Sequence, residues 1–245
     1  MTDRSDDEVA AILAAEAGNL LLEVRRELTE VTADERKAVG DRRSHEFLTA
    51  ALATQRPDDA VLSEEGVDDP VRLRCRRVWI IDPLDGTREF SELGRDDWAV
   101  HVALWQNGEL VAGAVALPAQ GVTLATPDVP APQQMPATPR IVVSRTRPPA
   151  IALEVRDALD GVLVEMGSAG AKVASIVKGV SDVYVHAGGQ YEWDSAAPVA
   201  VARAAGLHTS RLDGSALQYN RADPLLPDLI VCRPELADAV LAVTR

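Results

Sequence analysis

Asp82 and Asp85 stand three residues apart, directly after the apolar run Val78-Trp79-Ile80-Ile81, with Pro83-Leu84 between them and Gly86-Thr87 behind. Such a run, rich in β-branched residues, reads as a short buried strand, so the chain delivers two carboxylates at a strand end. Two anions there repel each other and resist desolvation unless positive charge is close, and a bound cation is the simplest source. Pro83 stiffens the turn, because it fixes its own φ, has no N–H and biases Asp82 to extended backbone. Asp82, the Leu84 carbonyl and Asp85 can then converge on one hard metal ion. Gly86 lets a ligand approach the backbone, and a helix opening at Thr87 would present N–H groups suited to a phosphate.

Carboxylates recur at two further junctions. Ala60-Val61-Leu62-Ser63 leads into Glu64-Glu65-Gly66, and Glu192-Trp193-Asp194 precedes Ser195-Ala196-Ala197. Singly, each has a plain reading as a solvated loop acid or, for Asp194, a helix cap. Together they supply what paired Mg²⁺ sites need, several carboxylates drawn from different loops. The spacing of Asp82 and Asp85 does not fit an EF-hand. Gly167-Ser168-Ala169-Gly170 has neither the dinucleotide fingerprint nor the P-loop Lys-Ser/Thr, so no organic cofactor is expected.

The elements that must position these groups are read from periodicity. Val9, Ile12, Leu13, Leu20, Leu21, Val24 and Leu28 recur with helical spacing. The charged segment from Glu30 to Asp41 is expected to be a loop, followed by a helix through Phe47, Leu48, Ala51 and Leu52 that begins near Asp41 and ends before Pro57. Asn107-Gly108 between two apolar runs, Trp98–Trp105 and Leu110–Leu117, signals a β-hairpin. Eight prolines between 118 and 149 mark a link. Beyond it strands and helices alternate: strands at 141–143, 162–166, 183–186 and 229–232, helices at 150–159, 171–180, 195–205 and 235–243. We therefore divide the chain into an α+β half, 1–126, a Pro-rich link, 127–139, and an α/β half, 140–245. Turns are expected at His186-Ala187-Gly188-Gly189. The basic cluster Arg72, Arg74, Arg76 and Arg77 is expected to guard one edge of a strand.

A formal net charge of −13 over 245 residues argues against nucleic acid or an anionic membrane as partner. It leaves room for a phosphorylated small molecule whose charge is met by metal ions. The acidic start carries no apolar leader and no run is long enough to span a bilayer, which makes the cytoplasm the expected compartment. Cys75 and Cys232 form no motif, suit a reducing compartment and are expected to be buried, inert thiols.

Ser63-Glu64-Glu65, Trp79–Thr87 and Glu192–Ala197 resemble, in order and spacing, the three signature blocks of the inositol monophosphatase superfamily, Mg²⁺-dependent and lithium-sensitive phosphomonoesterases. The Arg88-Glu89-Phe90 continuation, the Glu-Trp-Asp-Ser-Ala-Ala-Pro block and Gly167–Lys172 are most similar to its actinobacterial CysQ-type branch, the 3′(2′),5′-bisphosphate nucleotidases that act on 3′-phosphoadenosine 5′-phosphate. The resemblance implies a layered α/β fold, an α-β-α-β-α sandwich, with the active site between its halves. It implies two or more Mg²⁺ ions: Glu64, Asp82 and the Leu84 carbonyl at one, and Asp82, Asp85 and Asp194 at another. Gly86 and Thr87 would grip the scissile phosphate, Asp41 would polarise the Thr87 hydroxyl and, with Glu64, the attacking water. Ser168 and Lys172 would line the substrate pocket. Inositol phosphate or fructose bisphosphate hydrolysis, and a non-catalytic phospholigand sensor, are the competing readings; a homodimer stays open.

Overall fold

The computed structural model describes residues 4–245; Met1–Asp3 of the acidic start lie outside them. Helix α1 (Asp6–Glu27) begins in a capping box in which Ser5 and Glu8 satisfy each other's backbone N–H, and it buries Val9, Leu13, Ala17, Leu21 and Val24. Helix α2 (Ala33–Gln55) overturns the loop expected over the charged segment. Thr32 and Glu35 form a second capping box, and the charges that interrupt the apolar pattern are tolerated in the helix, most of them at least partly exposed and Arg36 buried with its guanidinium on backbone carbonyls. Asp41 therefore sits well inside a helix.

The first sheet contains β1 (Ala60–Ser63), β2 (Arg77–Asp85), β3 (Ala99–Gln106), β4 (Glu109–Leu117) and β5 (Val122–Ala125), hydrogen-bonded in that order. Only β1 and β2 run parallel. The expected hairpin joins β3 to β4, with Asn107 and Gly108 both at positive φ, the backbone that a tight two-residue turn requires. Strand β5 falls in the stretch read as proline-rich and was not expected. A short helix, α3 (Thr87–Ser91), follows β2.

The second sheet contains β6 (Arg140–Ser144), β7 (Val162–Met166), β8 (Val183–Tyr191), β9 (His208–Ser210) and β10 (Leu225–Cys232), in the order β7-β6-β8-β10-β9. Strand β6 is parallel to β7 and β8, and β10 is antiparallel to its neighbours. The turn expected at His186–Gly189 is absent: β8 runs on through it, its register with β10 shifting once between Leu226 and Asp228.

Helices α4 (Ala150–Ala158), α5 (Ala169–Val177), α6 (Glu192–Ala204) and α7 (Ala237–Thr244) complete the layers. In β2 the alternation of a strand sends Trp79 and Ile81 to a core with α1 and α2, and Val78 and Ile80 to a core shared with α5 and α6. That is why the run is continuously apolar. Helices α4 and α7 close the far face of the second sheet. The order is helix pair, sheet, helix pair, sheet, helix pair. Helix α6 lies so close to β4 that a Cβ on Gly113 would meet the Ala200 methyl at 2.5 Å.

The basic cluster is not a strand edge. Arg72 lies in a 3₁₀ turn and is 2% exposed, while Arg77 forks onto Asp59 and Asp6. Cys75 is only half-buried, whereas Cys232 is buried and its thiol is pushed up to about 12 by that burial. Among the described residues no helix is long and apolar enough to cross a membrane.

Candidate metal and phosphate site

Strand β2 ends against the α5/α6 layer, and there the acidic residues gather. Asp82, Asp85 and Asp194 each offer a carboxylate oxygen, all within 4.8 Å of one another. Asp82 is 1% and Asp85 7% exposed. The turn between them is held at both ends. Asp82 accepts from the Leu84 N–H at 3.0 Å, and the Ser44 hydroxyl of α2 donates to the Pro83 carbonyl at 2.7 Å. Asp194 belongs to the first turn of α6, where its carboxylate also accepts from the Tyr191 N–H at 2.7 Å. The capping role and the place in the cluster are thus both occupied by one side chain.

Glu64 follows β1, whose parallel pairing with β2 sets Ser63 beside Ile81. It shares a hydrogen bond with Asp82. Its side chain is exposed at the open side of the cluster, so solvent moderates a shift that dense packing on its inner side drives upward, to about 7. Burial, then the neighbouring carboxylates, holds Asp82 well above the usual carboxylate range. Burial and the charge of Asp85 bring Asp194 to about 7. Asp41, half-buried on α2, is raised to about 7 by burial and then by Glu65.

Asp85 differs. Burial pushes it up, but the charge of His101 and hydrogen bonds from the Ser168 hydroxyl and the Gly170 N–H, both at 2.6 Å, bring it down to about 2. His101, on β3, has no exposed surface and its Nε2 lies 3.2 Å from Asp85. The approach is close enough for an ion pair but poorly aligned for a hydrogen bond, so Nε2 has no well-directed partner. Its Nδ1 lies 3.1 Å from the Trp193 carbonyl at the start of α6. Burial opposes the charged ring, and Asp85 outweighs it, holding His101 above the ordinary histidine range. Only glycine fits at 170, where a Cβ would stand 2.1 Å from His101 Nε2.

A cavity of about 580 Å³ opens from Asp85, Gly86 and Asp194 towards Ser168, Lys172 and the β8 residues from Tyr184 to Gln190. Gly86 has φ +84° and packs against Ser168, Trp98 and Asp97, so its conformation and its crowding both require glycine. Ser168 caps α5 through the Ala171 N–H. The Lys172 ammonium donates to the Gly167 and Ser168 carbonyls and lies 5.3 Å from the Tyr184 ring centre; burial lowers its proton affinity. Asp41, Glu64, Asp82, Leu84 and Thr87 do not line this cavity.

His101 and Arg147 escaped the sequence reading. Arg147 is one basic residue among many, now at the cavity wall. His101 left a faint signal, the one ionisable residue inside the apolar run from Trp98 to Trp105.

The donor set suits a hard divalent cation. It consists of carboxylate oxygens, and three of its four acids are held above their normal range by burial and by one another's charge. Residues 3–245 match the profile of the inositol monophosphatase family, and the chain belongs to that family. It is 54% identical over 235 residues, 92% of this chain and 88% of the other, to the 3′-phosphoadenosine 5′-phosphate phosphatase of Mycobacterium tuberculosis. To the protein of the same name in Mycobacterium leprae it is 50% identical over 98% of this chain and 94% of that one. The crystal structure of CysQ from Bacteroides thetaiotaomicron superposes with a TM-score of 0.78 at 27% identity, covering 92% of this chain and 96% of the other.

Proposed function

We propose that this chain is a Mg²⁺-dependent phosphomonoesterase that removes the 3′-phosphate of 3′-phosphoadenosine 5′-phosphate. The observation that carries the reading is the convergence of Asp82, Asp85 and Asp194 at the end of a cavity roomy enough for a nucleotide. The substrate is supported by the relatives of that name at 50% and 54% identity.

Asp82, Asp85 and Asp194 would hold the metal ions, with Glu64 and the Leu84 carbonyl as further donors. When bound, Mg²⁺ neutralises the phosphate and acidifies a water. The protein's own share is positioning and proton transfer. The backbone at Gly86 and the Thr87 hydroxyl would orient the scissile phosphate, with Asp41 assigned to polarise that hydroxyl once substrate is bound. Glu64 takes the proton of the attacking water at its carboxylate. Water attacks phosphorus in line with the ribose 3′ oxygen and with no phosphoenzyme; the P–O3′ bond breaks, and the 3′ oxygen takes a proton from solvent to leave as the alcohol. Ser168 fixes Asp85, and Lys172 meets the second phosphate of the substrate, whose charge offsets the burial of the ammonium.

Phosphate release with Mg²⁺ from 3′-phosphoadenosine 5′-phosphate, inositol monophosphate and fructose bisphosphate tests the reading. The adenosine bisphosphate is expected to have the highest kcat/KM, and Asp82→Asn to lose turnover. A preference for another substrate overturns the assignment; turnover that persists in the variant overturns the site; no turnover in the wild type favours the sensor.

A further inference from the structure

Outside the acidic cluster, Arg72 is a buried group, bonded at each guanidinium nitrogen, that the proposed chemistry does not use. Its Nε and Nη2 fork onto the Asp68 carboxylate at 2.6 and 2.9 Å. Its Nη1 donates to Asn220 Oδ1 at 2.7 Å, its Nη2 also to the Arg221 carbonyl at 2.9 Å, and Asn220 returns a bond to the Arg72 carbonyl at 3.4 Å. The backbone N–H groups of Asn220 and Arg221 then donate to the two oxygens of Glu192 at 2.6 and 2.8 Å. Glu192 is 1% exposed and is the first residue of α6. Asn220 holds φ +58°, a left-handed backbone that asparagine tolerates better than most residues.

The two ends of this chain of bonds matter. Asp68 and Arg72 continue the loop that carries Glu64, from the first half of the sequence. Glu192 is two residues before Asp194, from the second. A guanidinium fork is directional, and a buried one is retained only with its partners in place. We propose that Arg72, acting through Asn220 and Glu192, is a positioning residue that sets the first turn of α6, and hence Asp194, against the loop bearing Glu64. It touches neither metal nor substrate. The inference rests on reading Glu64 and Asp194 as parts of one metal site.

The test is calorimetric titration of the protein with Mg²⁺, well below the unfolding midpoint, for wild type, Arg72→Met, Asp68→Asn and Arg140→Met. The last removes a similar guanidinium fork, that of Arg140 onto Asp182 in the second sheet, far from Asp194 in the fold. We expect Arg72→Met to weaken Mg²⁺ binding roughly tenfold, as loss of a group orienting a ligand does. Asp68→Asn, which keeps the side-chain shape and the bonds to Asn220, is expected to weaken it less, and Arg140→Met to lower the unfolding midpoint with Mg²⁺ affinity unchanged. Should Arg72→Met fail to fold, Asp68→Asn decides. Wild-type affinity in Arg72→Met or, failing that, in Asp68→Asn overturns the proposal, as does an equal loss in Arg140→Met. Failure of the wild type itself to bind Mg²⁺ contradicts the metal-site reading instead.

Discussion

Two regions of this molecule bury carboxylates, and they treat them in opposite ways. Asp182, which enters β8, has no exposed surface although it lies shallow, and it is fully answered. Arg140 donates to it from Nε, Nη2 and the backbone N–H, and Arg233 from Nε at 2.6 Å. Burial pushes it up, but those partners hold it below the usual carboxylate range. At the end of β2, Glu64, Asp82, Asp85 and Asp194 have one adjacent imidazole among them, and three of the four are held high. A carboxylate kept for structure is given its counter-charges by the chain. A set left short of them is built for a charge from outside.

Asp182→Asn should break that contrast most severely. It leaves the Arg140 fork and the Arg233 Nε without their anion, and removing one partner of a buried pair costs about 3–5 kcal/mol. Chemical denaturation should show that loss, with Mg²⁺ affinity unchanged. Asp82→Asn is the converse. It should lower turnover by more than about 100-fold, since even groups that merely orient ligands are worth 10–100-fold. Yet the metal-free protein should unfold at an equal or higher temperature, because a repelling charge has gone. Gly170→Ala should sit between them: the new methyl displaces His101, destabilising the fold by about 1–3 kcal/mol as overpacking does, and weakening Mg²⁺ binding through Asp85.

The smallest effect is the pH dependence, and its sign differs between the two regions. Glu64 and Asp194 have folded values of about 7, above their ordinary ones. Their contribution to metal-free stability is present at low pH and lost as pH rises through about 7. Asp182 has a lowered value, so its contribution holds above the ordinary carboxylate range and fades only in acid. Thermal unfolding of the metal-free protein should therefore show a midpoint that falls as pH rises from the ordinary carboxylate range to about 7, which Mg²⁺ reverses.

What the sequence disclosed follows the reach of each interaction. The junction at Asp82 was legible because an apolar run, a proline and two acids are adjacent, and the β3/β4 hairpin because Asn107-Gly108 is a local signal. The start of α2 was obscured by charge density, although the Thr32/Glu35 capping box marks it. His101 and Arg72 were not legible as to role. The first acts on residues of β2 and α6, and the second reaches Asn220, 148 residues away. Asp68, four residues before Arg72, is the one local feature that sets it apart from Arg74 and Arg76, and it does not point to α6.

The central claim, that the under-compensated acids form the metal site, is tested most directly by titrating the metal-free protein with Mg²⁺ at pH 7 in two buffers of different ionisation enthalpy. Binding should release protons, because Glu64 and Asp194 are partly protonated there, and Asp82→Asn should abolish or greatly weaken it. Binding without proton release, or undiminished binding by Asp82→Asn, would contradict the account.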